Sequence, residues 1–149
     1  MSFFGTMNIS ASGLTAQRTR MDTLAQNLAN VDTTRTAEGG PYVRRTVIFE
    51  ERQQGNQSFF SIFNRALGNQ SGGRGVRVHS IVEDPTPGPR MYDPGHPDAD
   101  AEGYVTRPNV NIVSEMVNMI SATRSYEANI TAINATRAMM NRTLEISSR

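Results

Sequence analysis

The chain has no cysteine and no tryptophan, and its 149 residues include not one lysine. Without cysteine there can be no disulfide, no zinc–thiolate site and no thiol nucleophile, and cysteine usage fits any compartment. Charge is scarce as well: 19% of residues are charged, and 15 arginines offset 14 acids to a net +1. That balance supplies neither the basic field of a nucleic-acid binder nor an acidic tail. No run approaches the ~18 apolar residues of a membrane span. The opening Met1-Ser-Phe-Phe-Gly-Thr-Met-Asn8 lacks a basic n-region and an apolar h-region, so it does not read as a cleavable secretory signal. The length fits one domain, or a small domain with extensions, and excludes a large multidomain enzyme. The all-arginine usage suits interfaces, because guanidinium forks and stacks; a codon bias gives the same pattern.

What is present is a helical period at both ends. Met7, Leu14, Met21 and Leu28 recur every seven residues, with Leu24 and Val31 three residues after the last two. Ile112, Met119, Tyr126, Ile133 and Met140 repeat the same spacing, flanked four residues on by Met116, Ile130 and Leu144. Both patterns approach a coiled-coil seam. Pro108 cannot sit inside the second helix, and Asn109 or Asn111 caps its start. At ~1.5 Å per residue the segment 112–146 would be about 50 Å long, too long to be buried along its length in a 149-residue globule.

Between these ends, Tyr42–Phe49 and Val76–Val82 are β-branched, aromatic and partly alternating, and predict two strands; Tyr104–Thr106 predicts a short third. Gly39-Gly40-Pro41, the prolines at 85, 87 and 89, and Asp93-Pro94-Gly95 mark turns. Residues 53–75 read as a mobile insertion in which Phe59–Leu67 forms a short docking helix. The expected fold is mainly α with a small β part. Long terminal helices over 1–34 and 109–149 pair as an antiparallel coiled coil around a β-rich middle over 35–108.

The helix backs are unusual. A surface helix normally carries charge opposite its apolar stripe, whereas here Ala, Ser, Thr, Asn and Gln fill most of those positions. Ala25 and Ala29 lie one turn apart beside Asn27 and Asn30, and Ala128, Ala132 and Ala135 form a small-residue stripe beside Asn129, Asn134 and Asn141. Small residues permit close backbone approach, and asparagine can hydrogen-bond across such a contact. Helices of this kind suit packing on several sides, against the alternative of an isolated two-helix hairpin.

Chemistry-bearing motifs are few. Asp93-Pro-Gly-His96-Pro-Asp98-Ala-Asp100-Ala-Glu102-Gly103 offers ligand types for a divalent metal and resembles the start of an EF-hand loop, but Asn109 stands where that loop requires a bidentate Glu. Its prolines and alanines read better as a rigid loop whose Asp and His side chains bond local backbone. His79 sits alone in a predicted strand. No Gly-x-Ser-x-Gly elbow is present, a Walker loop is excluded by the missing lysine, and Gly72-Gly-Arg-Gly75 is too short for a phosphate cradle. The expectation is a non-enzyme without metal, cofactor, small-molecule substrate or nucleic-acid partner.

The blocks Asn8-Ile-Ser-Ala-Ser-Gly13-Leu14 through Arg18-x-Arg20-Met-Asp22 into Ala25-Gln-Asn27-Leu28-Ala29-Asn30-Val-Asp-Thr33-Thr34, and Pro108-Asn-Val-Asn-Ile-Val-Ser-Glu115-Met116-Val-Asn118-Met119-Ile120 followed by Ala122-Thr-Arg124-Ser-Tyr126-Glu127-Ala128-Asn129, resemble the terminal signatures of flagellar rod, hook and hook-associated proteins. Gly39-Gly40-Pro41-Tyr42, Gly75-Val76-Arg77-Val78, and Tyr92-Asp93-Pro94 with His96-Pro97-Asp98 and Gly103-Tyr104-Val105, resemble the proximal rod members of that family. The resemblance implies a structural subunit of the basal-body rod, outside the cytoplasmic membrane, that stacks into a hollow, torque-transmitting shaft required for motility. It implies as partners copies of itself, rod proteins of the FlgB, FlgF and FlgG types, the adapter to the motor ring, and the flagellar type III export machine. A small coiled-coil adaptor or export chaperone is the alternative, and a metal-dependent hydrolase on the 93–102 loop is a third class.

Overall fold

The computed structural model describes residues 3–52 and 74–147. The expected Phe59–Leu67 helix lies outside the described residues. The elements run α1 (Phe3–Ala29), β1 (Arg45–Glu51), β2 (Val76–Glu83), β3 (Arg90–Tyr92), β4 (Tyr104–Thr106) and α2 (Ile112–Ser147). The molecule is therefore mainly helical, with two small sheets between the helices.

Local chemistry sets the ends of these elements. Pro108 keeps α2 from starting earlier, and the Asn111 side chain accepts a hydrogen bond from the Ser114 amide at 3.0 Å, which makes it the N-cap. Asn109 does different work: its carbonyl oxygen takes the Arg44 amide, and its amide donates to the carbonyls of Asp84 and Thr86. α1 begins at Phe3, four residues before the heptad pattern does, and ends at Ala29 in a turn where the Thr33 amide bonds the Asn30 carbonyl. Val31, expected in the apolar seam, lies in that turn.

β1 and β2 pair antiparallel from Arg45↔Glu83 to Glu51↔Val76, with an irregularity between Ile48 and Phe49 that leaves His79 without an opposite residue. The first strand starts three residues later than its composition predicts. Tyr42 and Arg44 are drawn away from the ladder, the Tyr42 amide bonding Thr33 and the Arg44 amide bonding Asn109. β3, which sequence reading did not predict, pairs antiparallel with β4 at Arg90↔Thr106, Met91↔Val105 and Tyr92↔Tyr104. The Tyr92 and Tyr104 rings meet edge-on at 5.3 Å.

The helices run antiparallel. Asn27 meets Glu115, Arg20 meets Asn118, and the Gly13 backbone faces Asn129, so the contact on α2 climbs as α1 descends. The first sheet packs on the flank of α1, where the Ser12 hydroxyl accepts the Val76 amide at 3.0 Å and donates to the Ile9 carbonyl at 2.6 Å. Gly75 holds a φ of +73°, and any Cβ there would stand 2.3 Å from the Ser12 oxygen. Glycine is thus required for β2 to enter against the helix. No described helix is long and apolar enough to cross a membrane.

Candidate assembly interface

Among the described residues, the largest fully buried side chains are polar. They are Asn27 and Glu115, and they bond each other at 2.9 Å. Asn27 uses its entire capacity of two donors and two lone pairs: it donates to Glu115 and to the Arg45 carbonyl, and accepts from the Tyr42 hydroxyl and the Arg45 amide, all at 2.8–2.9 Å. The other Glu115 oxygen takes the Arg44 guanidinium at 2.8 Å, and Arg44 reaches Asp84 at 3.4 Å. Burial raises the Tyr42 hydroxyl above its ordinary pKa. The hydrogen bond to Glu115 raises the pKa of Arg44. One cluster therefore ties α1, the chain entering β1, the end of β2 and the first turn of α2 together. Removing a partner of Asn27 or Glu115 would strand a buried amide or carboxylate away from water.

Most of the fully buried residues in the rest of the helix–helix seam are small or polar. On α1 the buried residues are Ser10, Gly13, Ala16, Thr23, Leu24 and Asn27. On α2 they are Glu115, Ala122 and Thr136. A Cβ on Gly13 would sit 3.0 Å from the Asn129 side-chain oxygen, so the Asn129 amide occupies the space that a larger residue at 13 would need. Several large apolar residues of α2 stand outside the seam. Ile112, Val113, Met116, Val117 and Ile120 are 47–71% exposed and share the outer face of the first turns of α2, and Ile130, Met139, Leu144 and Ile146 are exposed further along. The helical pair departs from an ordinary amphipathic hairpin in two ways: most of its fully buried positions are small or hydrogen-bonded, and a second apolar stripe on α2 is left exposed.

The heptad residues named from sequence divide accordingly. Leu24 is buried, while Met7, Leu14, Met21, Leu28, Met119, Tyr126, Ile133 and Met140 are half-buried along the seam. Ile112, Met116, Ile130 and Leu144 are exposed and stand outside it. Of the small and polar set, Asn27 is buried and Asn30 and Asn129 are half-buried, whereas Ala25, Ala29, Ala128 and Ala132 face outward. Asn30 and Asn129 bond their own helices, to the carbonyls of Gln26 and Ser125. Tyr42, Arg44, Asp84 and Glu115 were not singled out as site residues. Their partners lie far away in sequence, and the one available signal was an acid, Glu115, in an otherwise apolar helix start.

The 93–103 loop spends its side chains on backbone. Asp93 accepts from the Gly95 amide, His96 from the Asp98 amide, and Asp100 from the amides of Glu102 and Tyr104, which holds its carboxyl below the ordinary range. Asp98 takes the Thr34 hydroxyl at 2.8 Å and so fastens the loop to the segment after α1. His79 bonds Glu50 on the exposed sheet surface.

Comparison with known proteins bears on the same two helices. The family described as "Flagella basal body rod protein" matches residues 7–35, and the family described as "Flagellar basal body rod FlgEFG protein C-terminal" matches residues 101–146. The chain is similar to the flagellar basal-body rod protein FlgC of Bacillus subtilis, at 49% identity over 98% of this chain and 99% of that protein. It is 47% identical to FlgC of Borreliella burgdorferi over 98% of both chains, and 40% identical to FlgC of Escherichia coli O157:H7 over 98% of both.

Proposed function

The chain belongs to the flagellar basal-body rod protein family, whose members are structural components of the flagellum, and from that premise we propose that it is a subunit of the proximal rod. In this reading it polymerises, with copies of itself and with other rod proteins, into the hollow shaft that carries torque from the motor ring to the distal rod and hook. It reaches that shaft through the flagellar type III export machine, and catalysis forms no part of its work.

The observation that carries this reading is the exposed apolar stripe on α2. Fully burying a side chain of Leu or Val size contributes ~1.5–3 kcal/mol. Five such residues left about half exposed on α2 therefore hold roughly 5 kcal/mol that the lone subunit does not realise. Neighbours in a polymer would realise it. The heptad residues Met7, Leu14, Met21, Leu28, Met119, Tyr126, Ile133 and Met140 then serve the seam within a subunit. Ile112, Met116, Ile130, Leu144 and the outward alanines serve contacts between subunits. An adaptor or chaperone with one partner at a time would carry more charge on these backs.

The test is to locate a tagged copy in isolated basal bodies. Density or label in the proximal rod, with loss of rods and swimming when the chain is deleted, is expected. A tag confined to the cytoplasm of cells that build normal rods would refute the reading.

A further inference from the structure

The outer faces of the two helices carry complementary patterns at matching spacing. On α1, Arg18, Asp22, Ala25 and Ala29 follow one another at intervals of four, three and four residues, all exposed. On α2, Val117, Ile120, Arg124 and Glu127 do the same at intervals of three, four and three, also exposed. Among the described residues, none of the four charged side chains makes an ion pair or hydrogen bond within the chain. At ~1.5 Å per residue the two stripes are about 16 Å and about 15 Å long.

We propose that the outer face of α1 in one copy docks antiparallel on the outer face of α2 in a second copy of this chain, pairing Arg18 with Glu127 and Asp22 with Arg124, and seating Ile120 and Val117 on Ala25 and Ala29. The inference rests on the rod reading and specifies its contact.

Orientation is decided by charge and size. Run antiparallel, both ion pairs form, and the two large side chains meet the two smallest positions, where the backbones can approach. Run parallel with Ala25 against Ile120, Ala29 falls on Arg124 and Arg18 falls on Val113. Both charges then lie against apolar or small groups. The contact uses different faces of the two copies, so it is heterologous and can repeat without closing, as a helical polymer requires. Like charges at this site would repel, which gives the interface a direction as well as an affinity.

The cysteine-free background makes the test clean. One copy carries only Ala25→Cys and a second, distinguishable copy only Ile120→Cys; both are expressed together and basal bodies are isolated and oxidised. The expected product is a disulfide-linked dimer of the two variants. Both variants present in basal bodies without that dimer, or crosslinked instead to a different rod protein, would overturn the contact while leaving the rod reading intact. Absence of the unaltered chain from basal bodies would remove the rod reading itself. Ala29→Cys with Val117→Cys is the second pair, should the first disturb assembly. Independently, Arg18→Glu and Glu127→Arg should each cut incorporation into rods by about tenfold, and the two together should restore it; no restoration would overturn the pairing.

Discussion

The two sides of α2 follow opposite rules. The side turned to α1 holds Glu115 and Ala122, at 1% and 0% exposure, with Asn129 and Thr136 and the half-buried Met119, Tyr126, Ile133 and Met140. The side turned away holds Ile112, Val113, Met116, Val117 and Ile120, all at least 47% exposed. A monomeric globule would not leave this second apolar set in water. Inside, geometry is fixed by hydrogen bonds that tolerate only one arrangement. Outside, the apolar area is held for a partner. Specificity within the subunit and affinity between subunits are thus assigned to different faces of one helix.

Several substitutions sharpen or break that contrast. The largest effect should come from Glu115→Ala, which leaves Arg44 and Asn27 without their buried partner and should cost ~3–5 kcal/mol, read as a fall of at least about 1 M in the urea midpoint. Replacing the pair together, Glu115→Leu with Arg44→Met, should cost less than the single change, because no charge is stranded. Next is Ile133→Asp in the half-buried stripe with Tyr126 and Met140, expected to block rod incorporation while secretion continues. An unpaired carboxylate there costs several kcal/mol, with only Arg137 one turn away to soften it. Ile133→Asn should also block assembly, and Arg142→Asp on the exposed surface should be milder. Normal swimming with Ile133→Asp would remove the buried stripe from the account.

Val117→Ser makes the reverse point. It should leave subunit stability within ~0.5 kcal/mol, as exposed changes do, yet abolish rods. A stability loss comparable to that of Glu115→Ala would mean that the outer face is not held in reserve. The smallest effect concerns pH. Hydrogen bonds from the Thr86 hydroxyl and amide, helped by Arg44, hold the Asp84 carboxyl below its ordinary pKa. A depressed folded value means a contribution present at neutral pH and lost as pH falls through the acid side of the carboxylate range. Asp84→Asn should lower the neutral plateau slightly and leave stability below the carboxylate range nearly unchanged, so that the acid limb of the unfolding profile flattens.

Much of this architecture could be read from sequence where the signal is local. Pro108 and Asn111 marked the start of α2, and Tyr104–Thr106 was identified as a strand at its full extent. Strand β3 escaped because three residues after a run of prolines carry no period, and its partner is distant. Heptad reading of α1 follows the largest apolar residues, whereas the buried set also includes the small Ser10, Gly13 and Ala16, which an apolar period does not single out. Asn27 was noted for its power to bond across a contact. That Tyr42, Arg44 and Glu115 complete its environment depends on folding together segments 15 to 88 residues apart, and no spacing rule reports that.

Amide hydrogen exchange, compared between the verified monomer and isolated rods, tests most directly the claim that apolar burial on α2 is completed by neighbours. Residues 112–144 should exchange faster in the monomer than in the rod, with the slowest monomer exchange around Asn27, Tyr42–Arg45 and Glu115, and the same stretch should become strongly protected in the rod. Strong protection of 112–144 in the monomer already, unchanged on assembly, would contradict the account.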